Sequence, residues 1–146
     1  MRLASLVAGI SLFILTSGWE TDFEIAKERA AKEHKFILLN FSGSDWCVPC
    51  INLRRELFDD PAFKEFSDSN LVLLNADFPR LKKNQLSKEQ QKKNDHLADK
   101  YNPQGSFPYT LLLDAGGKII HTWDGAPGET TNEFISNLKN MMNANN

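Results

Sequence analysis

The chain has 146 residues, a length that predicts one domain around a single core. Hydrophobic residues make up 41% and charged residues 25%, an ordinary globular composition that excludes disorder as the main state. The formal net charge of −2 lacks the basic excess typical of nucleic-acid binders, so we expect no nucleic-acid partner.

The first residues differ from the rest of the chain. After a positive charge at Arg2, the stretch from Leu3 to Leu15 is apolar, and small or polar residues follow it to Gly18. This layout is typical of a secretory signal peptide, and the stretch is shorter than the roughly 20 residues of a membrane-spanning helix. We expect residues 1–18 to be a signal peptide and residues 19–146 to be an exported domain, periplasmic or secreted. A buried N-terminal helix or strand is the alternative.

Helical and strand-like segments alternate along the remaining chain. The first half begins with a helix from a capping box at Thr21–Glu24 to about His34, followed by a strand over 36–41, a turn over 42–45 and a helix from about Cys47. A helix from Pro61 to Phe66, with Asp60 as its N-cap, and a strand over 71–76 come next. The second half has a helix over 87–101 with a capping box at Ser87 and Gln90, a hairpin of strands over 109–113 and 118–123, and a helix over 131–142 whose inner side carries Phe134, Ile135, Leu138 and Met141.

This order predicts an α/β fold. Alternating helices and strands imply parallel crossovers, and the hairpin near the end adds antiparallel strands. We therefore expect a mixed central sheet of about four strands with helices on both faces.

The segment from Phe78 to Asn94 carries many basic side chains and a single acid, Glu89. Such a run of charge is typical of a solvated surface, and a binding patch is the alternative interpretation.

The chain has two cysteines, Cys47 and Cys50, placed where a buried strand ends and a helix begins. Unpaired N–H groups in the first turn of a helix, together with the helix dipole, favour the thiolate over the thiol at Cys47. The spacing puts Cys50 on the same side of that turn, where it can attack a mixed disulfide on Cys47. Pro49 fits a first turn because its missing N–H would have no partner there. We therefore expect Cys47 to be the nucleophile and Cys50 the resolving thiol.

Two other interpretations of the cysteine pair fit less well. A structural zinc site needs four ligands, and the histidines, His34, His96 and His121, are scattered without the usual spacing. A bridge between such close cysteines closes almost no loop, so it would add little stability. We expect no metal and no bound cofactor.

The segment from Asp45 to Cys50 resembles the Trp-Cys-x-Pro-Cys motif of thioredoxins and their exported bacterial relatives. Phe107-Pro108, followed by the apolar residues 109–113, resembles the second motif of that family, a cis-proline that opens a strand beside the cysteines. The resemblance covers roughly residues 23–138 and implies a thioredoxin-like fold. It also implies a cis Pro108 and a backbone around Phe107 that pairs with an extended substrate.

Trp46 and Phe107 are then expected to form an apolar rim that contacts substrate, with ordinary packing as the alternative.

The resemblance breaks at one position. Thioredoxins keep a buried aspartate that helps move the proton of the resolving thiol, with a lysine on the neighbouring strand, and the matching positions here are Asn40 and about Leu73. We therefore expect the Cys50 proton to leave through water or through an acid such as Glu56 or Asp45.

The predicted function is thiol–disulfide exchange with exported proteins that contain disulfides, as a reductant resupplied by a membrane electron donor. Any membrane contact would come only from the uncleaved leader. The second hypothesis is a non-catalytic binding module in which the cysteine pair acts as a redox switch. The presence of both motifs favours the enzyme.

Overall fold

The computed structural model describes residues 18–146, so the predicted signal peptide, apart from Gly18, lies outside the described residues. The helices and strands are α1 (Phe23–Glu33), β1 (Phe36–Ser42), α2 (Val48–Leu53), α3 (Pro61–Asn70), β2 (Leu71–Asp77), α4 (Lys88–Tyr101), β3 (Tyr109–Leu113), β4 (Ile119–Asp124) and α5 (Thr131–Ala144). No helix within this range combines the length and the apolar character needed to cross a membrane.

Four strands form one mixed sheet in the order β2-β1-β3-β4. The central strand β1 runs parallel to β2 and antiparallel to β3, and β4 is antiparallel to β3. A parallel pair needs a long crossover, and α2 and α3 supply it between β1 and β2. The predicted fold class, a mixed sheet of about four strands with helices on both faces, is confirmed.

The core lies in two layers because alternate residues of a strand point to opposite faces of the sheet. Leu38 joins the buried cluster under α3 and α5, whereas Ile37 and Leu39 join the cluster under α1 and α4. Asn40 lies two residues beyond Leu38 in β1, so the two side chains point to the same face of the sheet. The helix that carries the cysteines packs on that face. This places a polar residue directly beneath the site.

The N-terminus of α1 differs from the prediction. Asp22, not Thr21, is the N-cap, because its carboxylate accepts hydrogen bonds from the N–H groups of Glu24 at 2.9 Å and Ile25 at 3.1 Å. Lys93 holds the same carboxylate from α4 and is the main reason that the pKa of Asp22 is lowered.

Two further helix details differ from the sequence-based expectation. Ser87 caps α4 through the Gln90 N–H, but the Gln90 side chain bonds to the Thr21 carbonyl and to Asn94 instead of closing the box. In α5 the buried stripe extends to Met142, one helical turn beyond Leu138, and the predicted inner residue Met141 is half-buried against the same core.

The helix that starts at the cysteines ends in a π-helical turn, Arg54–Phe58, which the sequence did not predict. The Asp59 N–H bonds to the Arg54 carbonyl at 2.8 Å, a span of five residues. This wider turn lets two consecutive side chains, Leu57 and Phe58, both enter the core. Phe58 packs there between Trp19 and Phe63, with ring centroids 5.1 and 5.4 Å away.

Candidate functional site

Cys47 and Cys50 form a disulfide at the N-terminus of α2. Cys47 is the N-cap residue of this helix, and its sulfur accepts the N–H of Cys50 at 3.3 Å. Pro49 lies in the first turn, as the sequence predicted. A backbone N–H at this position would have no hydrogen-bond partner within the helix, so proline fits there. The local fold therefore places one sulfur at the opening of the helix, where N–H groups favour negative charge.

A tight turn connects β1 to this helix. The Gly43 carbonyl accepts the N–H groups of Trp46 at 3.3 Å and Cys47 at 2.9 Å. The indole of Trp46 lies against Gly43 so closely that a Cβ there would be 2.3 Å from a ring atom. Glycine is required at this position because any side chain would displace the Trp46 ring next to Cys47.

Trp46 belongs to an aromatic cluster that joins the two sequence motifs. Its ring lies 5.5 Å from that of Phe107, and Phe107 lies 5.5 Å from Phe78. The indole N–H donates to the Phe78 carbonyl at 2.7 Å, which fixes the orientation of the ring. The cysteine turn and the segment before β3 are therefore neighbours in the structure.

The Phe107–Pro108 peptide bond is cis, as the resemblance implied. Phe41 near the end of β1 pairs with Tyr109 at the start of β3, so both motifs lie at the same end of the sheet, where β1 finishes and β3 begins. The Pro108 carbonyl accepts the N–H of Gly125 at 2.9 Å. Among the described residues, no group bonds to the backbone N–H or C=O of Phe107, which leaves both free to pair with another chain.

The disulfide lies just beneath the surface. Cys47 and Cys50 are each 5% exposed, whereas Val48 between them is 64% exposed and Ile51 is 41% exposed. Both cysteines are therefore buried, whereas their neighbours along the helix reach solvent. The structure brings together all the residues predicted for the site, which are Trp46, Cys47, Pro49, Cys50, Phe107 and Pro108.

A polar cleft of about 270 Å³ lies against Cys50. Its lining includes Asn40 and Asn75 from the sheet and one carboxylate, Asp59, which is hydrogen-bonded to Arg54 at 3.2 Å. The cleft is roomy and polar enough to hold water next to the second sulfur.

Asn40 is buried, and both its side-chain oxygen and its side-chain nitrogen bond to neutral partners. Its carbonyl oxygen accepts the Thr110 hydroxyl at 3.0 Å, and its amide donates to the Asn75 side chain at 3.3 Å. Asn75 is the residue directly opposite Asn40 in the sheet, whereas Leu73 lies opposite Leu38. The sequence did not predict this amide pair, because the register of β1 and β2 cannot be read from either strand alone.

Neither acid considered for the Cys50 proton lines this cleft. The Asp45 carboxylate points to the segment after β2 and accepts the N–H groups of Arg80 and Leu81, each at 2.9 Å. Glu56 is exposed and bonded to Arg55 at 3.0 Å. Asp45 is therefore a structural anchor, since both of its oxygens are occupied.

A second aspartate anchors the same turn from the other side. Asp77 at the end of β2 accepts the Ser44 N–H at 2.9 Å and the Ser44 hydroxyl at 2.6 Å. The Arg80 guanidinium lies 3.5 Å from the centroid of the Trp46 ring. The sequence did not predict this contact between Arg80 and Trp46. It showed only that Arg80 belongs to a basic run that follows the strand.

Within residues 18–146, no three His, Cys, Asp or Glu side chains gather where they could hold a metal ion. Within the same residues, the redox-capable group at this end of the sheet is the Cys47–Cys50 disulfide.

Known proteins similar to this chain agree with this architecture. A family model described as thioredoxin-like matches residues 18–115. The chain is 35% identical over 124 residues to the disulfide bond reductase DsbH of Chlamydia pneumoniae, covering 85% of this chain and 72% of that protein. It is 26% identical to the thioredoxin-related protein DsbJ of the same organism, of which it spans 41%.

Solved structures give the same result. A DsbH oxidoreductase superposes with a TM-score of 0.77 and 31% identity, covering 86% of this chain and 84% of that one. A thioredoxin from Thermus thermophilus superposes with a TM-score of 0.62 at 15% identity, covering 83% of this chain and 84% of that one, a likeness of fold alone.

The anchoring by Asp45 predicts a pH dependence of stability. Hydrogen bonds from the Arg80 N–H, the Asn84 side chain and the Leu81 N–H hold the pKa of the Asp45 carboxyl below its usual value. A carboxyl with a lowered pKa stabilises the fold above its unfolded pKa of about 4, and this stabilisation is lost as the pH falls through the folded pKa. Asp45→Asn should therefore lower the free energy of unfolding at pH 7, with a difference from wild type that shrinks in acid.

Urea unfolding at pH values from 7 to 3 measures this difference. Asp95→Asn on the exposed side of α4 is the matched control, because the structure gives its carboxylate no partner, and it should follow the wild-type curve. An Asp45→Asn curve parallel to wild type at every pH would contradict the anchoring role.

Proposed function

Since this chain belongs to the thioredoxin-like family, we propose that it carries out its thiol–disulfide exchange with Cys47 as the attacking thiol and Cys50 as the resolving thiol. The observation that supports these roles most directly is the position of the Cys47 sulfur, which caps the helix and accepts the Cys50 N–H at 3.3 Å. The same N–H would stabilise a thiolate at Cys47 once the disulfide is reduced.

In the first step, the Cys47 thiolate attacks one sulfur of a substrate disulfide. A bond forms between Cys47 and that sulfur, the substrate S–S bond breaks, and the departing substrate thiolate takes up a proton. The unpaired backbone N–H and C=O of Phe107 are placed to bond with the extended substrate strand, and Trp46 and Phe107 would contact its side chains. These contacts orient the substrate sulfur toward Cys47.

In the second step, the Cys50 thiol loses its proton and attacks the Cys47 sulfur. The Cys47–Cys50 disulfide forms and the second substrate sulfur leaves as a thiolate that takes up a proton. Two electrons have then passed from the protein to the substrate, and the proton released by Cys50, together with one from solvent, balances the two protons that the substrate thiols take up. We propose that the Cys50 proton leaves through water in the polar cleft. Asn40 cannot accept it, neither Asp45 nor Glu56 lines the cleft, and the one carboxylate that does, Asp59, is bonded to Arg54.

We propose further that the protein acts as a reductant of exported proteins. The relative named as a disulfide bond reductase, 35% identical over most of this chain, supports this direction. The leader-like residues 1–18 support export to the periplasm or beyond. A reductant outside the cytosol needs a dithiol donor to restore its own thiols, and a membrane electron donor would fill that role.

Removing either sulfur tests the assignment of roles. Cys47→Ser should lower the rate of insulin reduction with dithiothreitol to that of dithiothreitol alone, because the serine hydroxyl is not a nucleophile at neutral pH. Cys50→Ser should accumulate mixed disulfides on Cys47, because no second thiol releases them. Insulin turbidity and non-reducing mass spectrometry measure the two effects.

Ser136→Ala on the exposed side of α5 is the control variant and should keep the wild-type rate. Equal insulin reduction by Cys47→Ser and wild type would favour the non-catalytic binding module. Adducts on Cys50 in the Cys47→Ser protein, without adducts on Cys47 in the reciprocal variant, would reverse the roles.

Asn40 provides a test of the proton route. Asn40→Asp places a carboxylate in the cleft beside Cys50, where it can accept the thiol proton, so decay of the mixed disulfide should become severalfold faster near pH 7. A buried carboxylate is costly, so the free energy of unfolding should fall by about 1–3 kcal/mol. Acid quenching of a single turnover, followed by chromatography, measures the decay.

Asn52→Asp adds the same charge on α2 but outside the lining of this cleft, and it should leave the decay rate unchanged. An unchanged or slower decay in folded Asn40→Asp protein would count against proton loss through the cleft.

A further inference from the structure

A surface beside the cysteines carries concentrated positive charge. We call residues 79–88 the basic arm, and its four cations are Arg80, Lys82, Lys83 and Lys88, without an acid in the segment. The arm connects β2 to α4 and runs over the turn that precedes Cys47. Residues 80–85 and Lys88 are exposed along it.

The arm has a defined conformation because the cysteine turn holds it. Asp45 accepts the N–H groups of Arg80 and Leu81 and the side-chain amide of Asn84, at 2.9, 2.9 and 3.0 Å. The Gln85 side chain donates to the Pro79 carbonyl at 3.1 Å. These bonds use backbone and amide donors, so they leave the cationic groups of the arm available.

Arg80 brings this charge to the proposed substrate rim. Its guanidinium lies 3.5 Å from the centroid of the Trp46 ring, and that ring contacts Phe107. Among the described residues, no carboxylate pairs with the guanidinium of Arg80 or with the ammonium groups of Lys82 and Lys83. A cation stacked on an aromatic ring keeps its N–H donors for a carboxylate.

A second cleft along the cysteine helix has two acidic side chains in its lining, which includes Pro49, Glu56 and Glu129. Glu56 is paired with Arg55 at 3.0 Å. One carboxylate oxygen of Glu129 is buried and has no hydrogen-bond partner among the described residues.

We propose that this protein prefers disulfides whose neighbouring residues are acidic, and that Arg80 is the specificity-determining residue for this preference. This inference rests on the proposed function, because the acidic segment is bound while Cys47 attacks the adjacent disulfide. The basic arm attracts the segment, and the Arg80 guanidinium binds a carboxylate beside the reacting sulfur. The electron and proton balance is that of the exchange already described.

Two synthetic peptides test the preference. Each has one intramolecular disulfide, with two Glu residues beside one cysteine in the first peptide and two Gln residues in the second. Reduced protein is mixed with each peptide under single-turnover conditions, and acid quenching gives the second-order rate constant. The Glu peptide should react at least about threefold faster at low ionic strength, and salt should diminish the ratio.

The ratio of the two rate constants isolates recognition from reactivity, since a change in the thiol itself affects both peptides equally. Arg80→Gln should bring the ratio toward one, and Arg80→Lys should keep part of it because the charge remains while the planar guanidinium is lost. Lys118→Gln, at the turn beyond the far end of β3, is the control with an equal loss of charge and should keep the wild-type ratio.

A ratio of one in wild type, or a ratio unchanged by Arg80→Gln, would overturn the preference while leaving the redox assignment intact. Failure of wild-type protein to reduce either peptide would overturn the proposed function itself, and the preference with it. Far-ultraviolet circular dichroism of each variant ensures that the compared proteins are folded.

Discussion

The hydrogen bond from the Cys50 N–H to the Cys47 sulfur is the constraint on which the site depends. It makes Cys47 the N-cap of α2, so that the same contact starts the helix and positions the Cys47 sulfur. Pro49 reinforces this arrangement by occupying a turn position that needs no N–H. The chemistry of the site follows from the way the helix begins, since a sulfur in this position is favoured as an anion.

Two segments hold the surroundings of that sulfur, because each accepts hydrogen bonds from the other. Asp77 reaches from the end of β2 to Ser44 in the cysteine turn, and Asp45 reaches from that turn to the segment after β2. Between them, Trp46 is oriented by the Phe78 carbonyl. The aromatic rim is therefore held on both sides, which would limit the entropy lost on binding of the extended substrate that we propose.

The sequence predicted the fold and the place of the cysteine pair at the start of a helix because both depend on local patterns. Apolar runs, turn residues and the Asp60 N-cap determine elements within a few residues of themselves, and the cysteine spacing is a local feature as well. The pairing of Asn40 with Asn75 could not be predicted, since it depends on the register of two strands. The stacking of Arg80 on Trp46 was also missed, because it joins segments more than thirty residues apart.

The most direct test of the account is the pH dependence of alkylation in the reduced protein. Iodoacetamide modification, located by peptide fragmentation in a mass spectrometer, should occur first at Cys47, with half-maximal reactivity below the pH of about 8.5 expected for an ordinary thiol. Cys50 should react later and only at higher pH. Preferential alkylation of Cys50, or a Cys47 midpoint at or above that of an ordinary thiol, would contradict the account.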